Sequence, residues 1–147
     1  MITRDYMEAI AKRAFQGPAA CAWSGWKLRL AATDVAGANT TLALADLSEL
    51  DDAEGYVPIP LSWSVITDAD GADARAAVAN PAWRNTGTAD WPECRAIFVT
   101  AQVDGVERLM WFLAVAPFTL APNDTIALQD NLVEMAWRAK VDGQLVL

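Results

Sequence analysis

The chain has 147 residues, 54% of them hydrophobic, with 19 acids against 11 bases and a formal net charge of −8. Length and apolar content fit one domain with a real core, and the excess of acid argues against nucleic acid and anionic lipid, which are bound through Lys and Arg. Histidine is absent, which removes the commonest general base and most zinc or iron sites.

No apolar run is long enough to span a membrane, and the opening "MITRDYMEAIAKR" carries acids where a secretion signal would be apolar. The expectation is a soluble protein made in the cytosol, without a membrane partner. In the opening stretch Met7, Ile10, Ala11, Ala14 and Phe15 recur at helical spacing. Thr3 or Asp5 can cap that helix, Asp5 and Glu8 have the spacing of a capping box, and Gly17-Pro18 ends it. A helix this short is marginal alone and must pack on its own domain or on a neighbouring subunit.

From "WKLRLAA" the period changes to two, with Trp26, Leu28 and Leu30 on one side of a strand and Lys27 and Arg29 on the other. "DVAGANT" reads as a loop. In "LALADLSEL" the leucines Leu42, Leu44, Leu47 and Leu50 read as the buried side of a short helical turn. Val57, Ile59, Leu61, Trp63 and Val65 alternate as a second strand, and Pro58 and Pro60 on its other face mark an edge. "DADG" turns the chain, and "ARAAVANPAW" reads as a strand that Asn80-Pro81 stops. "RNTGTADWPE" is a polar loop holding Trp91 and following Trp83.

"CRAIFVTAQVDGVERLMWFLAVA" carries the clearest local signal, two apolar alternations flanking Asp104-Gly105. Ile97, Val99, Leu109, Trp111 and Leu113 are the expected core positions. "PFTLAPNDTIAL" adds short strands around Pro122-Asn123-Asp124, and "LVEMAWRAKVDGQLVL" a last strand with a second Asp-Gly turn at 142-143. Short strands separated by turn residues predict a mainly β domain, an antiparallel β-sandwich or jelly-roll-like unit. It occupies 19–147, preceded by the N-terminal amphipathic α-helix of 1–18.

Few residues suggest chemistry. Asp68, Asp70 and Asp73 resemble part of a calcium loop whose closing acid is missing, and such turns also form without an ion. Glu49, Asp51, Asp52 and Glu54 read as a solvated face; a glycosidase would need two carboxylates facing across a cleft. Cys21 and Cys94 are far apart and outside any CxxC pattern, so two buried free thiols are expected. No catalytic, cofactor or metal residue is named, and the expectation is a protein that is not an enzyme. Of the seven tryptophans, Trp26, Trp63, Trp111 and Trp137 read as core, while Trp83 and Trp91 sit in a polar loop as candidate anchors or sugar platforms.

The order of these features resembles a group of small tailed-bacteriophage virion proteins. The resemblance rests on the helix ending in Gly17, "TLALADLSEL", "GYVPIPLSW" and "LMWFLAVAPFTLAPNDTIAL", with the patterns T-L-A-D-L-x-E…GY and W…F…L…D-T, over about residues 2 to 128. It implies a structural protein that decorates or cements a capsid, or forms part of a head or tail fibre, as a symmetric oligomer, with a trimer favoured. Its partners would be the major capsid protein or other virion proteins, and its location the virion. The expected contacts are Tyr6, Met7, Ile10 and Phe15 of the helix, Asp46, Glu49, Tyr56, Pro58 and Pro60 in the segment after it, and Trp83 and Trp91. The alternative is a carbohydrate- or host-receptor-binding β-sandwich that stacks sugars on Trp83 and Trp91.

Overall fold

Asp104 and Gly105 adopt φ of 49° and 80°, the paired positive angles of a two-residue hairpin turn, and the sheet that organises the molecule grows from that hairpin. The computed structural model describes residues 1–62, 64–67, 73–78, 81–128, 133–139 and 145–146, with backbone alone in the strands between 64 and 78 and after 132. In chain order the elements are α1 (Arg4–Gln16), β1 (Trp23–Ala31), β2 (Ile59–Pro60), β3 (Ser64–Thr67), β4 (Asp73–Val78) and β5 (Ala82–Arg84), then β6 (Cys94–Val103), β7 (Val106–Phe118), β8 (Thr125–Ala127), β9 (Val133–Ala139) and β10 (Leu145–Val146). Three antiparallel sheets result, ordered β2-β1-β6-β7, β10-β9-β4-β3 and β5-β8. The protein is mainly β with one N-terminal helix, as its turn spacing predicts.

Strand β6 lies between β1 and β7 and is apolar on both faces. Leu28, Leu30, Ile97 and Val99 form one face of the first sheet, covered by Leu50, Tyr56, Leu61, Trp83, Trp91 and Leu120. Ala31, Ala96, Phe98 and Phe112 form the other, covered by Val35, Leu42, Leu44 and Leu47. Tyr6 and Ala9 of α1 pack over Cys21, Ala101 and Met110. Among the residues whose side chains are described, the cover is loops, the β5–β8 ribbon and a helix.

Two expectations about side-chain direction are corrected. A register shift between Val99 and Thr100 changes the parity of β7, because a bulge sends every later residue to the opposite face. Leu109 accordingly joins the face of Phe98; Trp111, opposite Val99, is only partly buried, and Leu113, opposite Ile97, is exposed although its face is the expected one. In α1 the docked face is Tyr6, Ala9 and Ile10, so of the stripe from Met7 to Phe15 only Ile10 is docked. Met7, Ala11, Ala14 and Phe15 face solvent.

The alternation from Val57 to Val65 does not form one strand. Ile59–Pro60 joins the first sheet at its edge, where proline is tolerated, and Ser64–Thr67 joins the second. Strands β4 and β9 fall where strands were expected, β10 adds a second strand to the final stretch, and both cysteines are free and buried. The 142-143 turn, Trp63, Asp68 and Asp70, and the side chains of Asp73 and Trp137, lie outside the described residues.

Helix α1 is held by its cap. The Thr3 hydroxyl accepts from the Tyr6 amide at 3.3 Å and donates to the Leu109 carbonyl, and the Thr3 amide donates to Met110 O at 3.1 Å. Thr3 is almost completely buried, so the isosteric Thr3→Val removes both hydroxyl bonds and leaves a buried carbonyl without its donor. We expect a loss of about 1–3 kcal/mol, read as a lowered urea midpoint at unchanged m. An unchanged midpoint would show that the cap contributes nothing.

Candidate functional site

Residues 42 to 61 form a strap that crosses the outer edge of β1. Leu42, Leu44 and Leu47 lie on one face of the sheet, and Leu50, Ala53, Tyr56 and Leu61 on the other. At the crossing the Ala32 amide donates to Ser48 O at 2.8 Å and the Leu50 amide to Leu30 O at 3.1 Å. The Leu30 amide donates to the Tyr56 hydroxyl at 3.0 Å, and the Leu61 amide to Trp26 O at 2.8 Å. The open edge groups of β1 are thereby satisfied by its own chain.

Arg29 fastens this crossing. Its Nη1 donates to both Glu49 oxygens at 2.9 and 2.8 Å, its Nη2 to Glu107 Oε1 at 2.6 Å and its Nε to Thr100 Oγ1 at 3.0 Å. Thr100 and Tyr56 then donate to Glu107 Oε1 at 2.9 Å and to Glu49 Oε1 at 2.8 Å. Burial alone would lower the Arg29 pKa, but the hydrogen bonds and charges of Glu49 and Glu107 outweigh it and hold it above its ordinary value. Glu49 is thus a bonded structural acid, a correction to its reading as part of a solvated face. Its partner lies twenty residues upstream, beyond the reach of local pattern.

Beside the network lies an open depression of about 460 Å³, lined by Leu44 and Leu47 together with Glu49, Asp51, Asp52 and Glu107. Asp51 and Asp52 are exposed. Glu49 and Glu107 come together there, but both are committed to the guanidinium between them. The apolar setting that raises a glycosidase acid is missing. Among the described residues no group of three His, Cys, Asp or Glu side chains is arranged to hold a metal.

The residues expected at contacts separate into two sets. Tyr6, Tyr56, Trp83 and Trp91 are buried, with Trp83 and Trp91 only 4% and 3% exposed. Their indole N–H groups donate to Val57 O at 3.0 Å and Glu54 O at 2.9 Å, and the Trp91 ring meets Tyr56 edge-on. Neither tryptophan can present a face to a sugar, which removes the stacking-platform alternative. A polar loop read as exposed is folded back because each N–H finds a strap carbonyl. Ile10 and Pro58 are half-buried; Asp46 is exposed, its carboxylate accepting from the Ala43 amide at 2.9 Å; Pro60 is exposed at the sheet edge. Met7 at 43% and Phe15 at 89% are the exposed large apolar residues of α1. The depression at 44–52 was not legible in the sequence, since it depends on Arg29, Phe98 and Glu107 meeting the strap.

Compared with protein-family models, curated proteins and solved structures, the chain matches none.

Two outcomes follow from this geometry. Replacing Arg29 with Met leaves two partly buried carboxylates unpaired and should cost about 2–3 kcal/mol, less than the loss at a fully buried pair. Arg29→Lys should recover little of it, since an ammonium cannot reach both acids and Thr100 with a planar fork; full recovery in urea unfolding would refute the fork. The second outcome concerns alkaline pH. Burial pushes Cys94 up to about 11 and Tyr6 to about 12, and raises Tyr56 further, with Glu49 reinforcing the shift and the Leu30 amide opposing it. Each group stays neutral in the fold while the unfolded chain ionises from pH about 9. Stability is therefore full below pH 9 and falls as pH rises toward 12. Cys94→Ala should remove the earliest part of the decline, and a flat urea midpoint from pH 8 to 11 would contradict it.

Proposed function

We propose that this chain is a non-enzymatic structural protein of a tailed-bacteriophage virion. In this reading it is a capsid decoration or cement protein on the outer head surface, acting as a symmetric oligomer, with a trimer favoured and the major capsid protein as its partner. The resemblance of residues 2 to 128 to small virion proteins supplies the biological setting. The observation that carries the binding role is that α1 has two apolar faces. Tyr6, Ala9 and Ile10 are used at home, and Met7, Ala11, Ala14 and Phe15 are left to solvent. A large aromatic with 89% of its surface exposed is costly to keep in water unless something covers it.

The rest of the molecule suits repeated docking. The outer edge of β1 is closed by the strap, and the near edge of β7 carries Ile2 opposite Trp111, with Phe112 N–H donating to Met1 O. Covered stretches of edge limit indiscriminate strand pairing there, and many modest contacts on a capsid lattice sum through avidity. Purified heads lacking the protein test the reading directly. Added protein should pellet with them at a saturable, fixed ratio to the capsid subunit. Protein that stays in the supernatant at saturating excess would overturn it.

A further inference from the structure

We propose that the outer edge of β7 beyond Phe112, centred on Ala114, accepts an extended, uncharged segment of the capsid partner as an added antiparallel strand. The inference rests on the virion reading above and names the kind of partner segment that is bound. It starts from residues 1 to 3, which already lie on this edge. Met1 N donates to Phe112 O and the Phe112 amide to Met1 O, while the Thr3 amide donates to Met110 O at 3.1 Å and Ile2 faces Trp111. Along an antiparallel strand the outward backbone groups recur at every second residue. After Met110 and Phe112, the next N–H and C=O to point outward are therefore those of Ala114. Among the described residues, β7 pairs with β6 and with residues 1 to 3, and with nothing on its outer side beyond Phe112. Leu113 is 47% exposed, and Ala114, Ala116 and Pro117 are exposed with it.

The opposite end of the same sheet is built differently. The Leu61 amide donates inward to Trp26 O, so alternation turns Ile59 inward as well and leaves Pro58 and Pro60 on the outer side. Proline has no N–H, and that edge offers no donor at these positions. Only the β7 edge keeps a donor and an acceptor together on one outward residue, in line with a strand that is already paired. An extended backbone matches that line, and main-chain hydrogen bonds supply the affinity in such strand addition. From Leu109 to Phe118 the strand carries no charged residue, and Leu113 offers an apolar neighbour to a cross-strand side chain. The segment that fits is therefore uncharged and apolar beside Leu113. A second copy of this chain, at net charge −8, meets like charge on approach, and it is the competing occupant that the experiment separates. One such contact is small, and it adds to that of α1 through avidity on a lattice.

Three forms of the full chain test it. Ala114→Pro removes the outward N–H and leaves the ladder to β6 intact, because Ala114 and Ala96 face each other without exchanging bonds. Leu113→Lys places a charge on the exposed edge, and its urea midpoint should match the parent. The third form carries Val-Thr-Val ahead of Met1, which the register of residues 1 to 3 brings opposite residues 113 to 115 as a tethered strand. In that form hydrogen exchange at the Ala114 amide should slow about 10-fold or more. All three forms should bind purified heads with dissociation constants raised about 30-fold or more. Unchanged exchange at Ala114 in the extended form would overturn the proposal, as would a Leu113→Lys variant that binds heads like the parent; in both cases head binding by the parent keeps the virion reading. A parent that self-associates through a contact abolished by Leu113→Lys would overturn it in favour of a second copy. Slowed exchange together with a parent that binds no heads would defeat the virion reading and still support the edge as a strand acceptor.

Discussion

Arg29 ties together β1, which carries it, Glu49 of the strap, and both arms of the β6–β7 hairpin through Thr100 and Glu107. The covering of the sheet depends on that junction. The strap changes from one face to the other at residues 48 to 50, and the apolar residues on either side of the crossing cover both faces. A segment with carboxylates at 46, 49, 51, 52 and 54 would repel itself away from an acidic body without a cation at the crossing. The guanidinium serves where an ammonium would not, because its fork meets two carboxylates and a hydroxyl in one plane.

The same junction explains where tryptophan goes. Once the strap lies over the sheet, the Val57 and Glu54 carbonyls point toward Trp83 and Trp91 and accept their N–H groups. Gly55 lies between these carbonyls at φ of +84°, where a Cβ would stand 2.9 Å from the Thr86 amide nitrogen. The strap and the loop after β5 therefore approach closely enough to exclude a side chain. An aromatic whose polar atom is satisfied by backbone is a core residue, whatever the polarity of its neighbours in sequence.

What was legible in the sequence was local. The Asp104-Gly105 turn, the alternation of β1, the Gly17 stop and the proline at an edge depend on a few adjacent residues, and each is found where its chemistry requires. What was not legible depends on partners far along the chain. The parity change in β7 comes from a bulge, which leaves no mark in an apolar run. Glu49 looks like its acidic neighbours until Arg29 and Tyr56 are placed beside it. For α1 the periodicity was real, but which stripe docks was decided by Cys21, Ala101 and Met110. The helix satisfies them with Tyr6 and Ala9.

That outcome bears on the proposed assembly. A helix selected only to cover its own sheet needs one apolar face, and the far side can be charged at no cost in packing. Here the far side keeps Met7, Ala11, Ala14 and Phe15, while the charged Arg4 and Glu8 pair with each other at 3.2 Å. On the first sheet the strap lies along part of the outer edge of β1, and residues 1 to 3 lie along Met110–Phe112 of β7. The open aromatic face of α1 is therefore the surface that the proposed docking on a capsid would use.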